Sequence, residues 1–177
     1  MLENYLNSVE ERNSQGIPPL PLDADQTSEL IELIKNASDD NSNLVELLTE
    51  RVPAGVDDAA YIKAAFLSDI AQKKIQCNLI SPVKATYFLG TMLGGYNVES
   101  LIALIDDEEC GDEAVKALSN TLLVFDAFND IAEKSKSSKG AAKILESWAN
   151  ADWFLSKSEV PKSCLLYTSP SPRDGLL

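Results

Sequence analysis

Apolar residues recur every three or four positions along most of this chain, whereas strand-like alternation of apolar and polar residues is nearly absent. This period predicts amphipathic α-helices rather than strands. We expect about eight helices, the first from about Leu2 to Ser14, with Gly16 following as its C-terminal cap. The other helices are expected near 23–37, 40–52, 57–74, 81–93, 98–107, 113–134 and 138–155.

Local signals at several connections predict where these helices begin and end. Ser81 is expected to be an N-cap with Pro82 at the first helical position, where a missing N–H costs nothing. In the stretch GGYN, Gly94 or Gly95 can adopt the left-handed conformation that ends a helix. Asn97 can then cap the next helix. The sequence therefore predicts a short connection between two helices at this point.

Of two other stretches, one carries clear helix signals and the other excludes a helix. Acidic residues open the helix near 57–74, and Lys73 and Lys74 stand in its last turn, as the helix dipole favours. The proline-rich stretch IPPLPLD, residues 17–23, cannot be helical because proline lacks the N–H that a helix needs. We interpret residues 17–23 as a stiff connector, with a polyproline ligand as the alternative.

The short connections between helices predict an all-α fold of paired antiparallel helices. Pairs of about 40 residues are typical of a HEAT-like stack. The chain length suits one compact domain, which we place at residues 1–160. Helical spacing puts four large side chains on apolar faces, so we expect these to be buried: Phe66, Leu122, Phe125 and Trp148.

Charge narrows the range of partners. The chain of 177 residues has a formal net charge of -13. Such a chain repels both phosphate backbones and anionic lipid, so nucleic acid is an unfavourable partner. The start has no basic segment followed by an apolar one, and no apolar run approaches the roughly 20 residues that span a bilayer. We therefore expect a cytoplasmic protein without a membrane partner.

The absence of histidine excludes several chemistries. Ser-His-Asp and Cys-His nucleophile systems and HExxH zinc sites all need an imidazole. The cysteines, Cys77, Cys110 and Cys164, are odd in number and far apart, so they form neither a disulfide framework nor a CxxC metal clip. Cys77 and Cys110 have no basic neighbours that would clearly stabilise a thiolate, and we interpret both as inert thiols.

Two motifs invite a functional interpretation and fail on context. LGTMLGGYN is glycine-rich like a phosphate loop, but no predicted strand precedes it and no Gly-Lys-Ser/Thr follows. DDEECGDEA, starting at Asp106, is rich in carboxylates, but alignment as a calcium loop puts Cys110 and Ala117 at ligand positions. We interpret the first as a turn between helices and the second as a solvated acidic turn. Trp153 is left open between core and surface.

Four stretches together point to a family: LTERVPAGVDDAAYIKAAFL, LGTMLGGYN with LIALIDD, KALSNTLLVFDAFNDI, and SWANADWFL. Their order and spacing resemble the N-terminal region of the bacterial aconitase B family, the aconitate hydratase 2 and 2-methylisocitrate dehydratase enzymes. The resemblance covers nearly all of Met1 to about Pro161. It implies a HEAT-like helical domain placed ahead of swivel and catalytic domains.

The same resemblance implies conversion of citrate to isocitrate through cis-aconitate, with a [4Fe-4S] cluster held by three cysteines as the Lewis acid. None of those ligands matches a position of this chain, so we expect it to contain no catalytic, cofactor-binding or metal-binding residue and to be inactive alone. Its expected role is contact with the downstream domains and shaping of the route to the active site. A homodimer or another protein partner stays open. The alternative is a free-standing helical-repeat adaptor without enzymatic activity.

The last residues differ from the rest in composition. The stretch CLLYTSPSPRD, from Cys164 to Asp174, has no helical period and contains prolines that exclude regular pairing. It resembles the conceptual translation of a transposon-type sequencing adapter. We expect residues 161–177 to form a disordered tail outside the domain, because they offer too little apolar surface to offset the entropy of ordering.

Overall fold

A computed structural model describes residues 2–37, 41–121 and 127–152 of the chain. These ranges contain helices and connecting turns and no β-strand, which confirms the predicted all-α class for the described residues. The helices are α1 (Leu2–Ser14), α2 (Ala24–Lys35), α3 (Ser42–Glu50), α4 (Asp58–Ala71), α5 (Pro82–Gly90), α6 (Val98–Leu104), α7 (Gly111–Ser119), α8 (Ala127–Lys134) and α9 (Lys139–Ala149).

Several predicted helix boundaries are confirmed by their capping geometry. The Ser81 side chain accepts a hydrogen bond from the backbone N–H of Lys84, and Pro82 occupies the first turn of α5. Ser138 accepts in the same way from the N–H of Ala141 at the start of α9. Such a cap stabilises a helix by about 1 kcal/mol, because it satisfies one of the first four N–H groups.

The prediction of one long helix over 113–134 is wrong. α7 ends at Ser119 and a separate helix, α8, begins at Ala127. Beyond Ser119, the Asn120 side chain donates to the Lys116 carbonyl, and the Thr121 hydroxyl donates to the Ala117 carbonyl. These side chains satisfy carbonyls that a continuing helix would otherwise bond, which is how Asn and Thr compete with helical structure.

α4 also ends earlier than predicted. Its last residue is Ala71, so Lys73 and Lys74 lie beyond the helix rather than in its last turn. Lys73 adopts a positive φ of 61°, which is uncommon for a residue with a side chain. From this position its Nζ lies 3.2 Å from both the Asp107 and the Glu109 carboxylates. The lysine therefore links the end of α4 to the acidic turn after α6.

Neighbouring helices pack in pairs, and the pairs pack on one another. α4 packs extensively on α5, α6 on α7, and α8 on α9. Between pairs, α2 packs on α4, α5 packs on α7, and α7 packs on α9. This pattern is compatible with the HEAT-like stack, which stays a prediction. No helix within the described ranges has both the length and the apolarity to cross a membrane.

The buried apolar side chains of the described helices, α1 to α9, form one core cluster. Its largest fully buried side chains belong to Leu22, Leu30, Ile34, Leu48, Leu67, Ile70, Ile80, Leu89, Leu101, Leu118, Ile131 and Ile144. Phe66 is buried as predicted, but Trp148 is only partly buried. The Trp148 N–H donates to the Leu118 carbonyl at 2.9 Å, and its ring stacks on the half-exposed Phe128. Leu122 and Phe125 lie outside the described residues.

Lys63 is an exception in this core, since a lysine is rarely buried without a partner charge. The side chain is only 2% exposed, and its Nζ donates to the Val52 carbonyl at 3.3 Å. Burial lowers the pKa of Lys63, and the nearby Glu50 carboxylate partly opposes this shift. The charged form of Lys63 is therefore less favourable in the folded state than in the unfolded chain.

This burial predicts a pH dependence of stability. Between the lowered folded pKa and the unfolded value of 10.5, the unfolded chain binds more protons, so the free energy of unfolding contributed by Lys63 rises with pH. We expect urea denaturation from pH 7 to 10.5 to show this rise relative to Lys63→Met, which has no such proton. Replacing the exposed Lys143 by Met should leave the rise intact. Parallel curves for wild type and Lys63→Met would contradict it.

Candidate interaction surface

Two loops of the chain meet at one end of α4. The first joins α3 to α4 and contains PAGV, residues 53–56, and the second joins α5 to α6 and contains LGGYN, residues 93–97. The backbone N–H of Leu93 donates to the Ala54 carbonyl at 2.8 Å. Of the two glycines predicted as left-handed, Gly95 has a positive φ of 87°, but it lies in the turn between helices and does not end α5, whose last residue is Gly90.

The contact between the loops depends on Gly94. A Cβ atom added there would lie 1.9 Å from the Gly55 carbonyl oxygen and 2.5 Å from its carbon. Both of those atoms belong to the backbone, so no side-chain rotation could relieve the overlap. Gly94 is therefore required because the two backbones touch at this point.

Asn97 stabilises the second loop through hydrogen bonds of its buried side chain. It was predicted to cap α6, but its side chain makes no capping bond. Instead the amide is buried, and its Nδ2 donates to the Leu89 carbonyl at 2.6 Å and to the Met92 carbonyl at 3.3 Å. The side chain thus satisfies one carbonyl in the last turn of α5 and one just beyond its end, because the loop folds back over that helix end.

The two loops and the start of α4 present large apolar side chains to solvent. Leu93 is 87% exposed, Val56 74%, Tyr61 59% and Tyr96 40%. The Tyr96 hydroxyl donates to the Val56 carbonyl at 2.9 Å, and the Tyr61 and Tyr96 rings meet edge to face at a centroid distance of 5.3 Å. We call these four residues the apolar patch.

A cleft between α4 and α6 adjoins the apolar patch. It has a volume of about 230 Å³ and is lined by Tyr61, Ala64, Ala65, Ser68, Asp69, Tyr96 and Ser100. The Ser68 and Ser100 hydroxyls share a hydrogen bond of 2.6 Å across it. The lining therefore combines two exposed aromatic rings with small and polar side chains. We call it the α4–α6 cleft.

This arrangement suits binding rather than chemistry. Exposed apolar side chains tend to cluster where a protein contacts another surface. Here the backbone contact, the buried Asn97 amide and the Tyr96 hydrogen bond hold the patch in place before any partner arrives. Preorganisation favours binding because less conformational entropy is lost on association.

The cysteines do not form a reactive site in the described part of the chain. Cys110 is fully buried in the core, where its Sγ lies 3.9 Å from the Ala71 carbonyl. Burial raises the pKa of the Cys110 thiol, which disfavours the thiolate that nucleophilic or ligand chemistry needs. Cys77 is partly buried in a separate pocket of about 440 Å³ beside Ile75 and Pro82.

The acidic turn after α6 is occupied by internal partners. Asp106 accepts from the Ser138 hydroxyl and pairs with Lys134 Nζ at 3.0 Å, and these contacts lower its pKa. The N–H groups of Cys110 and Glu109 donate to Asp107 and lower its pKa. The described residues contain no group of three or more Asp, Glu, Cys or His side chains that would hold a metal ion.

The apolar patch was not predicted from the sequence, and Trp153, the other surface candidate, lies outside the described residues. One signal was available: PAGV lies between two predicted helices and LGGYN begins at the end of one, and both place apolar side chains beside glycines. Such residues have no core face to join unless tertiary contacts supply one. The sequence alone does not indicate that the two loops meet.

Comparison with known proteins assigns this chain to a family. The family described as Aconitate B N-terminal domain matches residues 4–154. The aconitate hydratase B of Pseudomonas aeruginosa is 49% identical over 168 residues, covering 94% of this chain and 19% of that protein. Those of Escherichia coli and Helicobacter pylori are 50% and 49% identical, covering 89% and 88% of this chain and 18% of each. The chain thus spans less than a fifth of the length of these relatives.

Proposed function

Because the chain belongs to the aconitate B N-terminal domain family, we propose that it is the docking domain of a longer aconitate hydratase. The whole protein would interconvert citrate and isocitrate through cis-aconitate, and 2-methylisocitrate is a further candidate substrate. In this proposal residues 1–160 form the helical domain, while the swivel and catalytic domains lie in the remaining sequence. The domain contacts them and shapes the route to the active site.

The apolar patch is the observation that carries this proposal. Four apolar side chains stand in solvent, three on loops held by internal hydrogen bonds and Tyr61 on the first turn of α4, and a monomeric domain gains nothing in stability from that exposure. A partner surface that covers Leu93 and Val56 would remove their apolar area from water, which contributes about 25 cal/mol per Å². The relatives are long enough to supply such a surface within the same polypeptide.

The iron-sulfur cluster of an aconitase would supply a Lewis acid for the substrate hydroxyl. The cysteines of the described residues do not fit as its ligands. Cys110 Sγ is enclosed by core atoms, and its thiol is disfavoured as a thiolate. Cys77 lies apart from that core position, in a pocket that Ile75 and Pro82 also line. We therefore propose that catalytic, cofactor-binding and metal-binding residues all belong to the rest of the protein.

A chimera tests the docking role. This chain would replace the matching N-terminal residues of Escherichia coli aconitate hydratase B, and cis-aconitate hydration would be measured together with proteolysis at the domain junction. We expect the chimera to be active. Leu93→Asp should weaken docking by about tenfold or more, because a charge replaces a buried apolar contact. Junction cleavage should rise accordingly.

Leu33→Asp is the matched control, since Leu33 is an exposed leucine on α2 outside the apolar patch. It should leave activity and junction cleavage unchanged. A chimera whose activity and cleavage are the same with Leu93 or with Asp at this position would contradict the docking role. That result would favour the alternative of a helical-repeat adaptor.

A further inference from the structure

We propose that the α4–α6 cleft binds the guanidinium group of an arginine side chain presented by the surface that covers the apolar patch. This inference rests on the proposed docking function and names the chemistry that the cleft recognises. Three features carry it: two exposed tyrosine rings, one carboxylate, and a floor of small residues with hydroxyl groups.

The tyrosine pair supplies a surface on which a planar cation can stack. Tyr61 and Tyr96 meet edge to face, with an angle of 78° between the ring planes. In such a pair each ring keeps at least one face uncovered by its partner. A guanidinium group is planar and weakly hydrated, so it stacks on an aromatic face at a lower desolvation cost than an ammonium group.

Asp69 supplies the opposite charge. Asp69 lines the cleft, its side chain is 45% exposed, and its Oδ1 lies 3.4 Å from the Nζ of Lys74. Lys74 is itself 60% exposed. An exposed ion pair of this kind contributes little to stability, so it can be exchanged for another cation at little cost. A carboxylate can accept two parallel hydrogen bonds from arginine but not from lysine.

The floor of the cleft leaves room and hydrogen-bond acceptors for the remaining N–H groups. Ala64 is buried and Ala65 is exposed, and both line the cleft with side chains too short to fill it. The Ser68 and Ser100 hydroxyls bond to each other, and Gln72 Nε2 also donates to Ser68 at 3.2 Å. Each hydroxyl oxygen has two lone pairs, so the pair retains capacity to accept from a guanidinium.

The net charge of -13 favours any cation, so charge alone does not select arginine. Lysine would gain the same long-range attraction and the same partner in Asp69. Stacking on Tyr61 and Tyr96 and the paired hydrogen bonds to Asp69 are what distinguish the guanidinium. The cleft therefore predicts a preference between two side chains of equal charge, which can be measured.

The test uses the isotope-labelled 177-residue chain and three capped tripeptides, Gly-Arg-Gly, Gly-Lys-Gly and Gly-citrulline-Gly. Amide chemical shifts would be followed during titration at 0.15 M salt. We expect the arginine peptide to shift the amide signals of Tyr61, Ser68, Asp69 and Tyr96 in a saturable way. The lysine and citrulline peptides should bind at least about fivefold more weakly, as one lacks the stacking plane and the other the charge.

Variants localise the binding. Tyr61→Leu and Asp69→Asn should each weaken arginine binding at least about fivefold. The controls are Tyr87→Leu, which removes an exposed tyrosine on α5, and Asp112→Asn, which removes a carboxylate on α7. Both controls should bind as the wild type does, and circular dichroism would establish that every variant is folded.

Equal affinity for the arginine and lysine peptides would overturn the proposal, as would shifts spread over the whole acidic surface or binding that is indifferent to Asp69→Asn. The outcome is separable from that of the docking role. If Leu93→Asp impairs the chimera while no arginine preference is found, docking stands and the arginine site is wrong. If the isolated chain prefers the arginine peptide while the chimera tolerates Leu93→Asp, the arginine site stands and the docking role is wrong.

Discussion

The 177-residue chain expressed alone should neither hydrate cis-aconitate nor assemble a substrate-responsive [4Fe-4S] cluster. Within the family the chain spans less than a fifth of the length of its relatives. Its sequence contains no CxxC pair, and Cys77 and Cys110 lie in different surroundings, one in a surface pocket and the other in the core. Cluster ligation needs several thiolates converging on one site.

Anaerobic reconstitution with iron and sulfide, followed by absorbance and a cis-aconitate assay, measures this directly. Full-length Escherichia coli aconitate hydratase B, treated in parallel, controls for the reconstitution itself. Cys110→Ala should then leave the cluster signal at the same background level as the unmodified chain, because no cluster depends on Cys110. A stoichiometric cluster signal that responds to substrate would refute the assignment of the chemistry to the rest of the protein.

Gly94→Ala should be the most damaging small substitution in the loops that present the apolar patch. The added methyl carbon would lie 1.9 Å from the Gly55 carbonyl oxygen, so the two loops must separate. Separation breaks the hydrogen bond from Leu93 to Ala54 and strains the one from Tyr96 to Val56. Overpacking of this kind together with a lost hydrogen bond costs about 2–4 kcal/mol. The melting temperature should fall by about 5–12 °C.

Gly55→Ala is the matched control on the opposite loop. A Cβ atom at Gly55 would meet only the Asp57 carboxylate, at 3.9 Å, which is an ordinary contact. Its effect on the free energy of unfolding should stay within about 0.5 kcal/mol. Thermal melts of the three proteins by circular dichroism give the comparison, and similar melting temperatures for Gly94→Ala and Gly55→Ala would show that the loops do not meet as described.

Gly94→Ala also connects the stability of the loops with the proposed docking function. If the apolar patch is preorganised by the loop contact, Gly94→Ala should also increase junction cleavage in the chimera, although it removes no side chain of the patch. Leu93→Asp should do so without a large change in melting temperature, because Leu93 is 87% exposed and contributes little to the core. Gly94→Ala therefore tests the effect of the loop arrangement on docking, and Leu93→Asp tests the effect of an apolar side chain of the patch.

Helix identity was largely predictable from the sequence, because it depends on local spacing and capping. The apolar period indicated most of the helices, and Ser81 with Pro82 predicted the start of α5. The left-handed turn at Gly95 was also predicted. These features involve residues within a few positions of one another, where backbone geometry and side-chain capping act without tertiary contacts.

Helix ends and side-chain roles were predicted less well where distant partners compete. Lys73 extends toward Asp107 and Glu109, more than 30 positions away, so it leaves the last turn in which the sequence placed it. Asn97 is a good N-cap by residue type, but the folded loop brings the Leu89 and Met92 carbonyls within its reach, and it donates to those instead. A single-sequence pattern contains no information on which partner will be closer.

The sequence by itself determined that this chain is acidic and that its described part is helical, and four of its stretches already indicated the family. Only the tertiary structure decided that PAGV and LGGYN touch, that Gly94 is indispensable to their contact, and that Val56, Tyr61, Leu93 and Tyr96 form one exposed surface. The physical reason is that helical periodicity shows which apolar side chains share one face of a helix. Whether that face is exposed depends on which distant segments cover it.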